Sequence, residues 1–245
     1  MLGASLDEAA LLVAAHARDG LDVDRYLGRL DLSAVSCPAG DGSALLRHVF
    51  EVERYAGDDE TYYDPRNSYL DEVIDRRVGI PITLALVLMS IGRRVGVAVE
   101  GIGMPGHFLA RVDGIGLVDP YERGRRLSLD ECEARFRLVY GAEAPFDESL
   151  LEVAAPHAIV ARVLANLRQV HLSRRDSASL EWVLRLRSLL PGATLEERAE
   201  RAGVLAALGR YPEAAGLLEE LARGAPEATA SRLLKKARAF RARMN

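Results

Sequence analysis

The chain has 245 residues, of which 49% are hydrophobic and 28% charged, enough to bury a real core in one large or two modest domains. A net charge of -4 gives no general attraction to nucleic acid, and the longest apolar run, Ile80 to Gly92, is 13 residues, too short to span a bilayer. Only two cysteines occur, Cys37 and Cys132, far apart and without Cys-x-x-Cys spacing, which argues for reduced thiols and against a zinc knuckle or disulfide scaffold.

No basic n-region precedes an apolar run at the N-terminus, so the expectation is a cytoplasmic chain without a secretory signal. Residues 5–55 read as helices. Leu6, Ala9, Ala10, Val13 and Ala14 recur at helical spacing, as do Leu45, Leu46, Val49, Phe50 and Val52 after a turn-rich stretch, with Asp41 or Ser43 as the cap. Residues 57–67 are acidic and turn-like, an ordered loop holding Tyr62, Tyr63, Asp64, Pro65, Arg66 and Asn67.

Asn67 or Ser68 then reads as the cap of a short helix through Arg77, with Asp71 and Glu72 in its first turn and Gly79 ending it. The next helix begins at Pro81, the favoured first position for proline, and runs to about Val95 before Gly96. It is apolar almost all round and is therefore expected at the centre of the domain. Beyond it, Val97–Ile102, His107–Val112 and Ile115–Val118 read as a small antiparallel sheet with a hairpin turn at Asp113-Gly114. The basic cluster Arg123, Arg125 and Arg126 reads as a solvated loop. Ser128 and Glu131 form a capping box for a helix to Tyr140.

After Pro145 the strand signals stop. Five amphipathic helices are expected over 158–172, 178–190, 195–208, 212–222 and 228–241. Tyr211, Ala214 and Leu218 match the second half of a tetratricopeptide repeat, and Ser177, Leu180 and Leu184 hold the same places 34 residues earlier. The expected division is residues 1–150, an α+β domain, and residues 151–245, tetratricopeptide-like helical repeats.

A hairpin turning near Gly114 sets His107 beside Asp119, and such a pair is two thirds of a nucleophilic triad. The thiol would stand at the N-terminus of the buried helix, where N–H groups and the helix dipole depress a cysteine pKa. Pro81 holds that place. Thr83 is two residues on, about 200° round the helix, and is a poor substitute. His107 is open to three readings: a structural histidine satisfied by Asp119, a binding residue, or a catalytic one. Tyr63, Asp64, Arg66, Asn67 and Ser68, with Gly79, Pro81 and Gly106, are the candidate cleft residues, the loop crossing His107 and Asn67 bonding backbone near Pro81. His16, His48, His157 and His171 stand at isolated helical positions and read as surface or core fillers, so neither a metal nor a cofactor is expected.

Gly79, Ala85, His107 and Asp119-Pro120 follow the Gly-x-Cys-x-x-x-Ala, His, Asp-Pro order of the transglutaminase-like superfamily, with Pro81 in place of its cysteine. More specifically, Asp64-Pro65-Arg66-Asn67-Ser68, Arg77-x-Gly79-Ile80-Pro81-Ile82, Pro105-Gly106-His107-Phe108 and Val118-Asp119-Pro120 resemble the bacterial SirB-type family, over roughly residues 40 to 240. That resemblance implies a papain-like α+β domain joined to tetratricopeptide repeats, in a family that tends to carry Gly-Ile-Pro where catalytic relatives carry cysteine. Fold alone imports no activity. The leading expectation is a non-catalytic module that binds a protein or peptide, with neither nucleic acid nor membrane as partner. The alternative is a hydrolase or acyl-transfer enzyme in which His107 and Asp119 activate water or serve Cys132. A third is a purely structural scaffold for the repeats.

Overall fold

A computed structural model describes residues 5–244. They divide into two compact units, one through Val163 and one from Leu164.

The first unit is built around α5 (Pro81–Val95). Pro81 is its first residue, where the missing N–H costs nothing and the fixed φ is already helical. Leu84, Ala85, Val87, Leu88 and Ile91 are fully buried on successive faces, which is why the helix lies inside rather than on the surface. Around it pack α1 (Leu6–Ala15), α2 (Val23–Val35), α3 (Gly42–Arg47) and α4 (Leu70–Arg76). Each fully buried leucine contributes about 1.5–3 kcal/mol relative to exposure.

Asp41 caps α3 by accepting from the Ser43 and Ala44 N–H groups at 2.8 and 3.1 Å. The chain then widens into a π-helix over His48–Val52. A two-residue strand, β1 (Ala56–Gly57), runs parallel to β2 (Val78–Gly79). Between them, the expected caps of α4 are corrected: Tyr69 occupies the N-cap, after a 3-10 turn over Pro65–Ser68 capped by Asp64. Asn67 is absent from that role because its side chain is engaged in the preceding loop. The helix runs to Arg76 with Arg77 as its C-cap, within a residue of the expected end, and Arg77 turns left-handed with φ 61°.

The sheet is a four-stranded antiparallel meander, β3 (Val99–Ile102), β4 (Leu109–Val112), β5 (Gly116–Asp119) and β6 (Arg125–Arg126). The fourth strand replaces part of the expected basic loop. Arg125 pairs there with Glu122 and Glu131, and Arg126 donates to the Ile115 carbonyl. The Ser128–Glu131 capping box starts α6 (Leu129–Tyr140). α7 (Pro156–Ser173) carries the chain past Val163.

In the second unit, α8 (Ser177–Leu189), α9 (Leu195–Ala207), α10 (Tyr211–Arg223) and α11 (Glu227–Arg241) pack each on the next. Ala202, Ala214 and Ala215 lie in its core with Leu205, Leu218 and Leu233, small residues that let helices close together. Ser177 and Tyr211 both open their helices. Among the described residues, no helix is long and apolar enough to cross a membrane.

Candidate functional site

The His107 arrangement starts with a turn. The His107 N–H donates to the Met104 carbonyl at 3.0 Å, and Pro105-Gly106, with Gly106 at φ +78°, holds the central positions as a type II turn requires. A Cβ on Gly106 would lie 3.1 Å from the Val139 methyls, so α6 packs on this turn and fixes where β4 begins. His107 lies two residues ahead of the strand and Asp119 ends β5, and the hairpin brings them together: His107 Nε2 is 2.9 Å from Asp119 Oδ2.

Asp119 is fully buried and receives four N–H groups. The backbone N–H groups of Tyr121 and Glu122 donate to Oδ1 at 2.9 and 3.4 Å, while Arg135 Nη1 shares Oδ2 with His107 at 2.8 Å. Burial acts to raise the Asp119 pKa, but the His107 hydrogen bond and the His107 and Arg135 charges outweigh it and hold the carboxyl below its ordinary value. With Nε2 as the proton-bearing nitrogen facing the carboxylate, a neutral His107 ring has Nδ1 left as acceptor. Arg135 also pairs with Glu122 at 2.7 Å, so the carboxylate that would back a catalytic histidine is already partnered by a guanidinium.

Tyr121 ties this half to the other. Its hydroxyl donates to the Asp58 carbonyl at 2.7 Å, and its ring lies over Gly57, where a Cβ would come within 2.6 Å of it. Only glycine admits that approach. Gly57 is paired with Gly79, two residues before Pro81, and the Asp58 N–H donates to the Gly79 carbonyl at 3.1 Å. The start of α5 and the His107–Asp119 pair are therefore joined through one tyrosine and one pair of short strands.

The α5 start is held by a buried polar node. Thr83 Oγ accepts from the Ile80 N–H at 3.1 Å and donates to the Asn67 carbonyl at 2.7 Å. Asn67 Nδ2 donates to Asp58 Oδ2 at 2.8 Å and to the Thr61 carbonyl at 2.9 Å, and Asn67 Oδ1 accepts from Arg76 at 3.0 Å. Asp58 also accepts from the Thr61 N–H and hydroxyl, both at 2.7 Å. Burial acts to raise the Asp58 pKa, yet these hydrogen bonds from Thr61, Asn67 and Glu60 outweigh it and hold the carboxyl at about 2. Thr83 is thus committed to the helix start rather than poised as a nucleophile. The expectation for Asn67 is corrected in detail: its main-chain carbonyl meets α5, whereas its side chain turns inward to the loop.

The remaining candidates separate. Gly79 and Pro81 are buried at the α5 start, Ser68 is buried in the adjoining turn, and Gly106 sits beside His107. Asp64 and Arg66 are engaged with each other at 2.6 Å. Tyr63 is 65% exposed and stacks edge-on to Tyr62, whose ring is 6.0 Å from that of Tyr121. Cys132 is fully buried among Ile102, Met104, Leu109 and Leu127, and burial pushes its thiol up. A nucleophile must reach substrate, so the Cys132 route fails. His48 and His171 are buried and paired, with Ser33 and Asp176 respectively. Among the described residues no group of His, Cys, Asp and Glu stands together to hold a metal ion.

Asp58, Arg135 and Glu122 are the site residues that pattern reading misses. Asp58 carries a local signal in Thr61, three residues on, the spacing of a side-chain-to-backbone turn. Arg135 shares a helical face with Cys132 and Phe136, an unexplained charge in a buried stripe.

The transglutaminase-like superfamily profile matches residues 6–165, which places the N-terminal helices inside the matched region. The chain is 35% identical over 231 residues to a UPF0162 protein of Xylella fastidiosa (strain Temecula1), covering 84% of this chain and 82% of that protein. It is 34% identical over 213 residues to the UPF0162 protein PA3419 of Pseudomonas aeruginosa, covering 82% and 77%. A shorter match, 32% over 96 residues, joins 35% of this chain to 15% of the F-box only protein 21 of Homo sapiens. No solved structure matches the chain. A proline-started central helix, a joined His–Asp hairpin and these similarities agree: the chain belongs to the transglutaminase-like superfamily, beside the bacterial UPF0162 proteins.

Proposed function

We propose that this protein is a non-catalytic member of its superfamily whose His107 region binds a peptide or protein segment. The observation that carries the proposal is the Asp58–Asn67–Thr83 node around Pro81. In a thiol enzyme the first turn of this helix presents a nucleophile and keeps its N–H groups near it. Here proline fills the position and the neighbouring hydroxyl is tied down on both sides. What remains for a ligand is a partly exposed imidazole with an acceptor nitrogen, suited to a backbone N–H, while the exposed rings of Tyr62 and Tyr63, the first of them 6.0 Å from the Tyr121 ring, would take an apolar side chain. The C-terminal helices, read as degenerate tetratricopeptide-like repeats, are a second interaction surface under this proposal, and the cytoplasm its setting.

The test is an amide, ester and transamidation assay on the purified full chain beside the His107→Ala variant. The proposal expects no turnover from either, and binding to peptide arrays that weakens with His107→Ala. Turnover lost on His107→Ala would sink it. That outcome would select the second reading, in which the intact 2.9 Å His107–Asp119 pair activates water directly.

A further inference from the structure

A pocket lies where β1 and β2 begin, lined by Tyr55 and Arg77, the residues just ahead of the two strands. It is a cavity of about 240 Å³ between α2, the segment after the π-helix and the end of α4, and its polar lining is Arg29, Ser33, Glu53 and Arg77 over Tyr55 and Ile74. We infer that this pocket is a binding site for a small organic anion, a carboxylate or phosphate monoester with a short apolar body.

Three irregularities of the backbone converge on it. The π-helix His48–Val52 precedes Glu53, and such insertions cost helix hydrogen bonding and recur at functional positions. Arg54 and Arg77 each hold φ 61°, a conformation costly for a side chain with a Cβ. Arg77 belongs to the Arg77-x-Gly79-Ile80-Pro81 run, yet takes no part in the His107 arrangement. A glycine would satisfy that backbone at less cost, so the guanidinium has to be accounted for separately.

The guanidiniums are aimed before any ligand arrives. Arg77 pairs with Glu53 and lies 4.9 Å over the Tyr55 ring. Arg29 pairs with Asp75, donates to the Ile74 carbonyl at 3.3 Å and lies 5.5 Å over Tyr26. These contacts use one edge and one face of each group and part of its five N–H donors. Two guanidiniums and one carboxylate, Glu53, line the pocket; burial together with Arg29 pushes the Arg77 pKa down, and a ligand anion beside Arg29 adds a second negative charge to offset the two positive ones. Ser33 is fixed as well, 3.0 Å from His48 Nε2 and donating to Glu53 at 3.3 Å, which leaves its second lone pair as acceptor for a protonated ligand oxygen. Leu30, Leu32 and Ile74 line the rest, so the cavity suits an anion that carries a small hydrocarbon part.

Calorimetric titration of the full chain with inorganic phosphate and with butyrate, against sodium chloride at matched ionic strength, tests this site. At least one of the two should bind saturably where chloride does not. Arg77→Gly suits the left-handed backbone and should fold, and Arg29→Gln removes the charge while keeping a polar side chain on α2. Each should weaken binding about tenfold through loss of a charge-assisted contact. Phosphate binding alone assigns a phosphate monoester, and butyrate binding alone a carboxylate. If neither anion exceeds chloride, or if both variants bind as tightly as wild type, the inference is wrong.

Discussion

The two halves of the candidate site are built on opposite terms. At the start of α5 the described polar side chains are buried and committed: Asp58 to Thr61 and Asn67, Asn67 to Asp58 and Arg76, Thr83 to both Ile80 and Asn67. At the hairpin, His107 is 20% exposed and has one ring nitrogen directed away from its carboxylate. Here the α5 half serves as an anchor, and the hairpin half, with a partly exposed imidazole, is joined to it by Tyr121.

The anchor should fail hardest. Asp58→Ala strips a partner from the buried Asn67 amide, from the part-buried Thr61 N–H and hydroxyl and from Arg76. A loss of about 3 kcal/mol is expected in urea unfolding, more than for any single change at the hairpin. If His107→Ala costs as much, the contrast between the halves is wrong.

The same carboxyl gives a pH signature. Its folded pKa of about 2 lies below the ordinary value of 3.8, so its contribution is fully present above the unfolded value and is lost as pH falls from about 4 to about 2. A displacement of that size corresponds to about 2 kcal/mol. Asp58→Asn should remove this part of the acid dependence, as chemical denaturation from pH 6 to pH 2 would show. Thr83→Val is next: Ile80 loses a buried acceptor and Asn67 a buried donor, a cost of about 2 kcal/mol at nearly constant volume.

The sequence makes some of this legible and hides the rest for physical reasons. Pro81 and the apolar run behind it announce a buried helix, because proline at the first turn and a stripe with no polar face have few other uses. His107 and Asp119 are legible because one hairpin fixes their register. Arg135 is not, since its pairing with Asp119 arises from how α6 packs beside β4, information that no local pattern carries. Asp58 reads as one of three consecutive acidic residues in a turn-like loop; its spacing to Thr61 hints at a side-chain turn, but that it is buried while Asp59 and Glu60 are exposed is decided by packing. The π-helix leaves no periodicity, and a strand made of Arg125-Arg126 defies β propensity because pairing with β5 decides it.

At the hairpin, Arg135→Met should cost about 1 kcal/mol, because Asp119 keeps His107 and two backbone donors. The change also tests the claim that Arg135 partners the carboxylate: the Asp119 pKa should rise from its lowered wild-type position, visible as an upward shift of its carboxyl titration in NMR. An unchanged Asp119 signal would mean that His107 and the backbone alone hold it down.

The smallest change in stability falls on the most informative position. Pro81→Cys keeps a residue that fits the first turn of α5 and should cost less than about 1 kcal/mol. It also places a thiol at the N-terminal N–H groups and the positive end of the helix, which depress a cysteine pKa. Burial pushes both native thiols, Cys37 and Cys132, the other way, so thiolate absorbance at neutral pH would come from the new side chain. If the two halves still face each other, adding His107→Ala should raise that thiol's pKa, because the imidazole partner is gone. If the pKa does not move, Tyr121 joins the halves without aligning them, and His107 is directed at a ligand rather than at the start of α5.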